Sequence, residues 1–143
     1  MILKYYLMKG KKLVYYIPFL IIIGIVALLL YSTKSKNRGE VLYESRCANC
    51  HMDNGMGLQS LIPPLAQADY LSNYRNTLAC LIKKGGNEEM IVNGVKYKQN
   101  MPGNGDLTDT DIANVLNFIL TNWGNNETPL SLQEIQKQLE DCP

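Results

Sequence analysis

The chain has 143 residues, 46% hydrophobic, with four cysteines and one histidine, which leaves room for one small domain at most. Its net charge of +1 averages two unlike parts: seven basic residues and no acid up to Arg38, then seven basic against thirteen acidic residues from Gly39 onward, leaving −6. So acidic a domain argues against nucleic acid as a partner and for proteins with basic docking faces.

Residues 1–12 carry Lys4, Lys9, Lys11 and Lys12 and lead into an uncharged run, 13–31, "LVYYIPFLIIIGIVALLLY". As a helix this run is about 28 Å long, close to the hydrocarbon thickness of a bilayer, and it predicts a transmembrane anchor. The competing reading is a cleaved signal peptide, whose apolar stretch is shorter and ends at a small-residue cleavage site; here "YSTKSKNRGE" follows instead. Pro18 and Gly24 are tolerated inside membrane helices. Lysines flank the run on both sides, so charge leaves the orientation open. Residues 32–38 are polar and aperiodic and read as a tether.

A domain over 39–124 follows, with an extension over 125–143. "GEVLYESRCANCH" sets Val41, Leu42, Ser45 and Ala48 near one face and predicts a helix running into a C-x-x-C-H motif. Gly55, Gly57 and Pro63-Pro64 then break the chain, with room for a turn around Gln67 to Leu71. A second helix is predicted over Tyr74 to Lys84, stopped by Gly85-Gly86. Asn93-Gly94 marks a turn, and an exposed loop ends in Met101-Pro102. "LTDTDIANVLNFILTNWG" is the clearest helix, capped by Thr108 with Asp111 three later and apolar at Ile112, Val115, Leu116 and Ile119. A last helix spans Ser131 to Glu140, with Leu132, Ile135 and Leu139 on one side. No run reads as a strand, so the expected fold is all-α. So loop-rich a domain would be marginal unless something large and apolar filled its core.

Cys47, Cys50 and His51 are the pattern for covalent haem: two thiols become thioethers on the porphyrin and the imidazole becomes an axial iron ligand. Zinc would want a fourth ligand, and neither Cys80 nor Cys142 belongs to a second close pair. A redox dithiol would be expected near a βαβ pattern, which is absent. Because such haem is attached on the far side of an energy-transducing membrane, the domain is expected outside the cytoplasm, on the periplasmic side, and residues 1–12 inside. Simple electron transfer would need a second axial ligand, and with His51 the only histidine the candidates are the methionines. Met52 and Met56 lie too near the attachment helix, and Met90 stands in no distinctive setting. Met101, 50 residues after His51, followed by proline and just before the capped helix, is the candidate. Thioether ligation raises the reduction potential and closes the iron to small ligands.

Over residues 39 to about 124 the chain resembles a membrane-anchored, mono-haem class I cytochrome c. The resemblance rests on CxxCH after a short helix, Pro63-x-Leu65, Met101-Pro102 and the final "LTDTDIANVLNFILTNWGN" helix. It implies a class I cytochrome c fold, three to five helices around one haem c. It further implies that Gly39 and Tyr43 pack the first helix on the last, with Phe118 as partner. Pro63 would offer its carbonyl to the imidazole and Leu65 would pack on the haem. Tyr97 and Asn100 flank the ligand loop as hydrogen-bonding candidates near the methionine or a propionate; Arg75 and Trp123 are further propionate candidates, although an aromatic at a helix end is more often core.

Cys80 and Cys142 remain as an even pair in an oxidising compartment. A disulfide between them is expected, with a buried thiol and a free terminal one as the competing reading; neither cysteine belongs to the family pattern. The expected function is one-electron transfer between membrane-bound donor and acceptor proteins of a respiratory chain, without catalysis. Alternatives are an accessory subunit of an oxidase or reductase, or a gas sensor in which Met101 does not hold the iron.

Overall fold

The computed structural model describes residues 16–30 and 36–142, which fall into two units dividing between residues 35 and 36. In the first, residues 16–30 form helix α1, exposing apolar side chains on every side, Phe19, Leu20, Ile21 and Ile22 among them. Among the described residues no helix is long and apolar enough to cross a membrane; both ends of the predicted span, residues 13–15 and 31, lie outside the described residues.

The second unit opens with α2 (Arg38–Arg46), whose N-cap Asn37 accepts from the Glu40 amide at 2.8 Å. Residues 36–38, read from sequence as the end of a tether, therefore belong to the folded unit. α2 lies on α6 (Asp109–Thr121) at Gly39, where a Cβ would sit 2.2 Å from the Asn114 carbonyl oxygen and 2.8 Å from Phe118 Cβ. This approach fixes the buried face as Gly39, Leu42 and Tyr43, the i, i+3, i+4 spacing of one helical stripe. The predicted face with Val41 and Ser45 is corrected: Val41 is exposed, and Ser45 turns its hydroxyl to the Val41 carbonyl at 2.9 Å. Tyr43 packs between Phe118 (ring centroids 5.5 Å) and Trp123 (4.7 Å).

α6 begins as read. Thr108 accepts from the Asp111 amide at 3.1 Å, and Ile112, Val115, Leu116, Ile119 and Leu120 are buried. The helix predicted over Tyr74 to Lys84 is in fact two pieces, a 3-10 turn (Arg75–Thr77) and α5 (Leu78–Lys84), and a short helix α4 (Asp69–Asn73) stands just before it, near the predicted turn. Thr77 marks the break, its hydroxyl taking the Tyr74 carbonyl at 3.0 Å in competition with the helix.

The fold is mostly helical, as expected; where no run read as a strand, the described residues form two small antiparallel ladders. β1 (Gly85–Gly86) pairs with β4 (Met101–Pro102), Gly86 opposite Met101. β2 (Met90–Val92) pairs with β3 (Val95–Tyr97), Met90 opposite Tyr97, around Asn93 and Gly94 at φ 49° and 77°, the left-handed pair of a type I′ hairpin turn. Strands of two or three residues are too short for alternation to show in sequence. α7 (Leu132–Glu140) starts in a Ser131–Glu134 capping box. It buries Ile135 and Gln138, whereas the expected Leu132 is exposed. Its end is tied to α5 by a Cys80–Cys142 disulfide, Cα atoms 5.7 Å apart.

Candidate functional site

Cys47 is a one-residue break after α2, and the chain turns again as α3 (Ala48–His51). The helix predicted to run into the motif thus ends at its first cysteine, and a separate short helix carries the rest. His51 is buried, and its ring meets the Pro63 carbonyl oxygen at 3.1 Å. A carbonyl only accepts, so Nδ1 carries the proton and Nε2 keeps its lone pair for a metal. Burial, the larger influence, lowers the His51 pKa below its ordinary value, while the Pro63 bond works the other way. The neutral, ligating form is therefore the one the site favours.

His51 faces an open, almost wholly apolar cavity, walled by Cys47, Pro63, Leu65, Met101 and apolar side chains of α5 and α6. A second cavity shares His51, Pro63, Met90 and Met101 with it and adds Cys50, Tyr97 and Asn100. All six residues singled out from sequence, Cys47, Cys50, His51, Pro63, Leu65 and Met101, thus stand on these walls, although residues 47 and 101 are far apart in the chain.

The competing chemistries fit poorly. Burial first, and then the neighbouring Cys50, push the Cys47 thiol up to about 11, with Arg46 opposing; an attacking dithiol needs the opposite shift. Among the described residues no three His, Cys, Asp or Glu side chains gather as a metal cluster. A large apolar planar group suits an open cavity with so apolar a lining, with the thiols, a lone-pair nitrogen and a thioether on its walls.

A family model for cytochrome c matches residues 37–123. The chain belongs to the cytochrome c family. Cytochrome c-552 of Thermus thermophilus is 33% identical over 110 aligned residues, covering 65% of this chain and 78% of that protein. A second cytochrome c-552 of the same species has the same identity, with 69% of its length covered. The cytochrome c subunit of a quinone alcohol dehydrogenase of Gluconobacter oxydans is also 33% identical, over 80% of this chain but only 24% of the subunit. As a member of the cytochrome c family the chain is an electron-transfer protein, not itself a catalyst, and carries haem c covalently, for which Cys47 and Cys50 provide the thiol pair.

Two candidates from sequence stand elsewhere. Arg75 donates to the Thr128 carbonyl at 2.6 Å, holding the C-terminal extension, and Trp123 packs edge-on against Phe118 at 5.2 Å; neither lines the two cavities. Asn104 was missed: it stands on the wall of the main cavity, where its backbone N–H is held by the Ile82 carbonyl at 2.9 Å. Its place three residues after Met101 was the only signal available.

Proposed function

We propose that this cytochrome c is a membrane-tethered carrier, its haem domain on the periplasmic side, passing one electron at a time between membrane-bound respiratory donor and acceptor proteins. His51 and Met101 are its axial ligands. The observation that carries the reading is the His51 ring, fixed by the Pro63 carbonyl, on the same cavity walls as Met101. When bound, haem supplies the one-electron couple. The chain supplies two thiols to fix it, an imidazole held in one tautomer, a thioether, and an apolar wall that excludes water. Leu65 is part of that wall.

The apolar run 13–31, and the exposure of apolar side chains all round α1, support the tether. Tethering raises the effective concentration of carrier near its partners, so docking itself can be weak. The −6 charge from residue 39 onward supports partners with basic faces.

In the purified protein the visible spectrum should be that of low-spin haem with one nitrogen and one thioether ligand, and the ferrous form should not take up carbon monoxide promptly. Prompt uptake would overturn the simple-carrier reading. Met101→Leu should change the thioether signature and Met90→Leu should leave it intact. The alternative of a carrier subunit within a larger enzyme is favoured by one observation, the kinship with a dehydrogenase's cytochrome c subunit; recovery of the native protein from solubilised membranes in a stable complex would support it.

A further inference from the structure

The fold gives Met90 the setting that its sequence context lacks. Alternation along the hairpin turns Ile91 outward and buries Val92, while cross-strand pairing puts Met90 beside the buried Tyr97. Met90 thus stands on the cavity side, in the walls of both cavities that His51 and Met101 line. Gly86, the residue paired with Met101, also lies against Met90: a Cβ placed there would lie 3.5 Å from the Met90 terminal methyl carbon. The hairpin is also firmly seated. Asp69 and Asn93 exchange reciprocal hydrogen bonds between backbone amide and side chain, at 2.9 and 2.7 Å.

We propose that Met90 is a reserve thioether: when Met101 leaves the iron, Met90 takes the vacant axial position and keeps it closed to external ligands. The inference rests on the assignment of Met101 as the resting ligand. The exchange breaks one iron–sulfur bond and forms another of the same kind. No proton or electron moves, and the ligand's charge is unchanged. Methionine suits the role, having three rotatable bonds and a polarisable sulfur.

The test uses the full-length holoprotein in detergent, its methionine methyls labelled with carbon-13, with Met101→Leu, Met90→Leu and the double variant; leucine keeps the bulk and removes the sulfur. In ferrous NMR spectra Met90→Leu should retain the iron-bound methyl signal, and Met101→Leu should show one at a new position. An iron held by Met90 nine-tenths of the time should take up carbon monoxide about tenfold more slowly than in the double variant. Equal uptake by Met101→Leu and the double variant would overturn the reserve role while leaving the resting assignment intact. Loss of the wild-type signal in Met90→Leu alone would overturn both. Should Met101→Leu fail to mature with haem, cyanide binding to the ferric wild type and ferric Met90→Leu decides: faster binding in the variant supports the reserve role, and equal rates sink it.

Discussion

His51 is held by residues close to it in sequence: its own carbonyl accepts from Gly57 at 3.0 Å, the Gly55 carbonyl gathers Leu65 and Ala66 at 2.7 and 2.9 Å, and Pro63 steadies the ring. Met101 is held from a distance. Its strand pairs over two residues with β1, which follows α5 directly, the following loop hangs on Ile82 and on a 2.6 Å bond from Lys83 to the Leu107 carbonyl, and α5 is itself pinned to the C-terminal extension by the disulfide. The His51 wall is built mostly within about twenty residues, with one long-range tie where Asn125 donates to the Leu65 carbonyl at 2.9 Å, whereas the Met101 wall depends chiefly on the far end of the chain. The Met101 wall should therefore be the part that opens first, locally and below the global unfolding threshold.

The strongest way to break this comparison is to cut the long-range tie. Replacing Cys80 and Cys142 by serine removes a closure of 62 residues, which should cost about 4 kcal/mol in the chain-entropy model. Urea unfolding followed by circular dichroism should show that loss. Carbon monoxide uptake should rise at urea concentrations where the helices are still intact. An unchanged midpoint would mean that the extension does not support the Met101 wall.

Two glycines sharpen the contrast at smaller cost. Gly57 and Gly85 both have left-handed backbones, φ 66° and 84°. A Cβ on Gly57 would lie 2.3 Å from the Ile62 carbonyl oxygen and 2.6 Å from that of Pro63, and one on Gly85 would lie 2.4 Å from the Met101 carbonyl oxygen. Alanine at either position should destabilise by about 2 to 3 kcal/mol, from strain plus backbone crowding. The readouts should differ: Gly85→Ala should open the iron to carbon monoxide in an otherwise folded protein, whereas Gly57→Ala should disturb the imidazole side and lower haem incorporation. Identical behaviour of the two variants would refute the independence of the walls.

The same asymmetry explains what could be read from sequence. CxxCH, Pro63 and the Thr108 cap are chemistry packed into a few positions, so their types and spacings are visible without a fold. α6 was legible because its apolar residues recur at helical spacing. The ladders were not, since two-residue strands carry no period and their pairing joins residues 85 and 102 across a hairpin. Arg75 was misread for a related reason: a cation near an expected haem suggests a propionate, but its partners are carbonyls of the extension, 53 and 54 positions away. Gln138 sat on the polar side of a short amphipathic pattern, yet it is buried because a distant helix start needs it.

That start is the next test. Thr77 provides α5 with no side-chain cap, so the Ala79 amide would be an orphan donor but for the Gln138 carbonyl oxygen at 3.0 Å. Gln138→Leu keeps much of the volume and strands the buried amide, which should cost about 1 to 2 kcal/mol. If α5 transmits the support of the extension to β1, the variant should also raise carbon monoxide uptake, more weakly than loss of the disulfide.

The smallest effect concerns an ion pair between the helices that cross at Gly39. Arg38, at the start of α2, donates to Asp111 in the first turn of α6 at 2.8 Å. That bond, followed by the one from Thr108, holds the Asp111 carboxyl below its ordinary range. A carboxyl whose folded pKa lies below its unfolded one stabilises fully above the unfolded value and loses that contribution as pH falls toward the folded one. Asp111→Asn should therefore lower the urea midpoint most at neutral pH, and the gap from wild type should shrink through the acid range below about pH 4. Solvent exposure of the Arg38 side keeps the effect small, and added salt should reduce it further. Because the pair ties α2 to α6 rather than to α5, the substitution should leave carbon monoxide uptake unchanged. A rise would mean that the Met101 wall leans on the α2–α6 contact as well, and the division between the two walls would be less complete than their hydrogen bonds suggest.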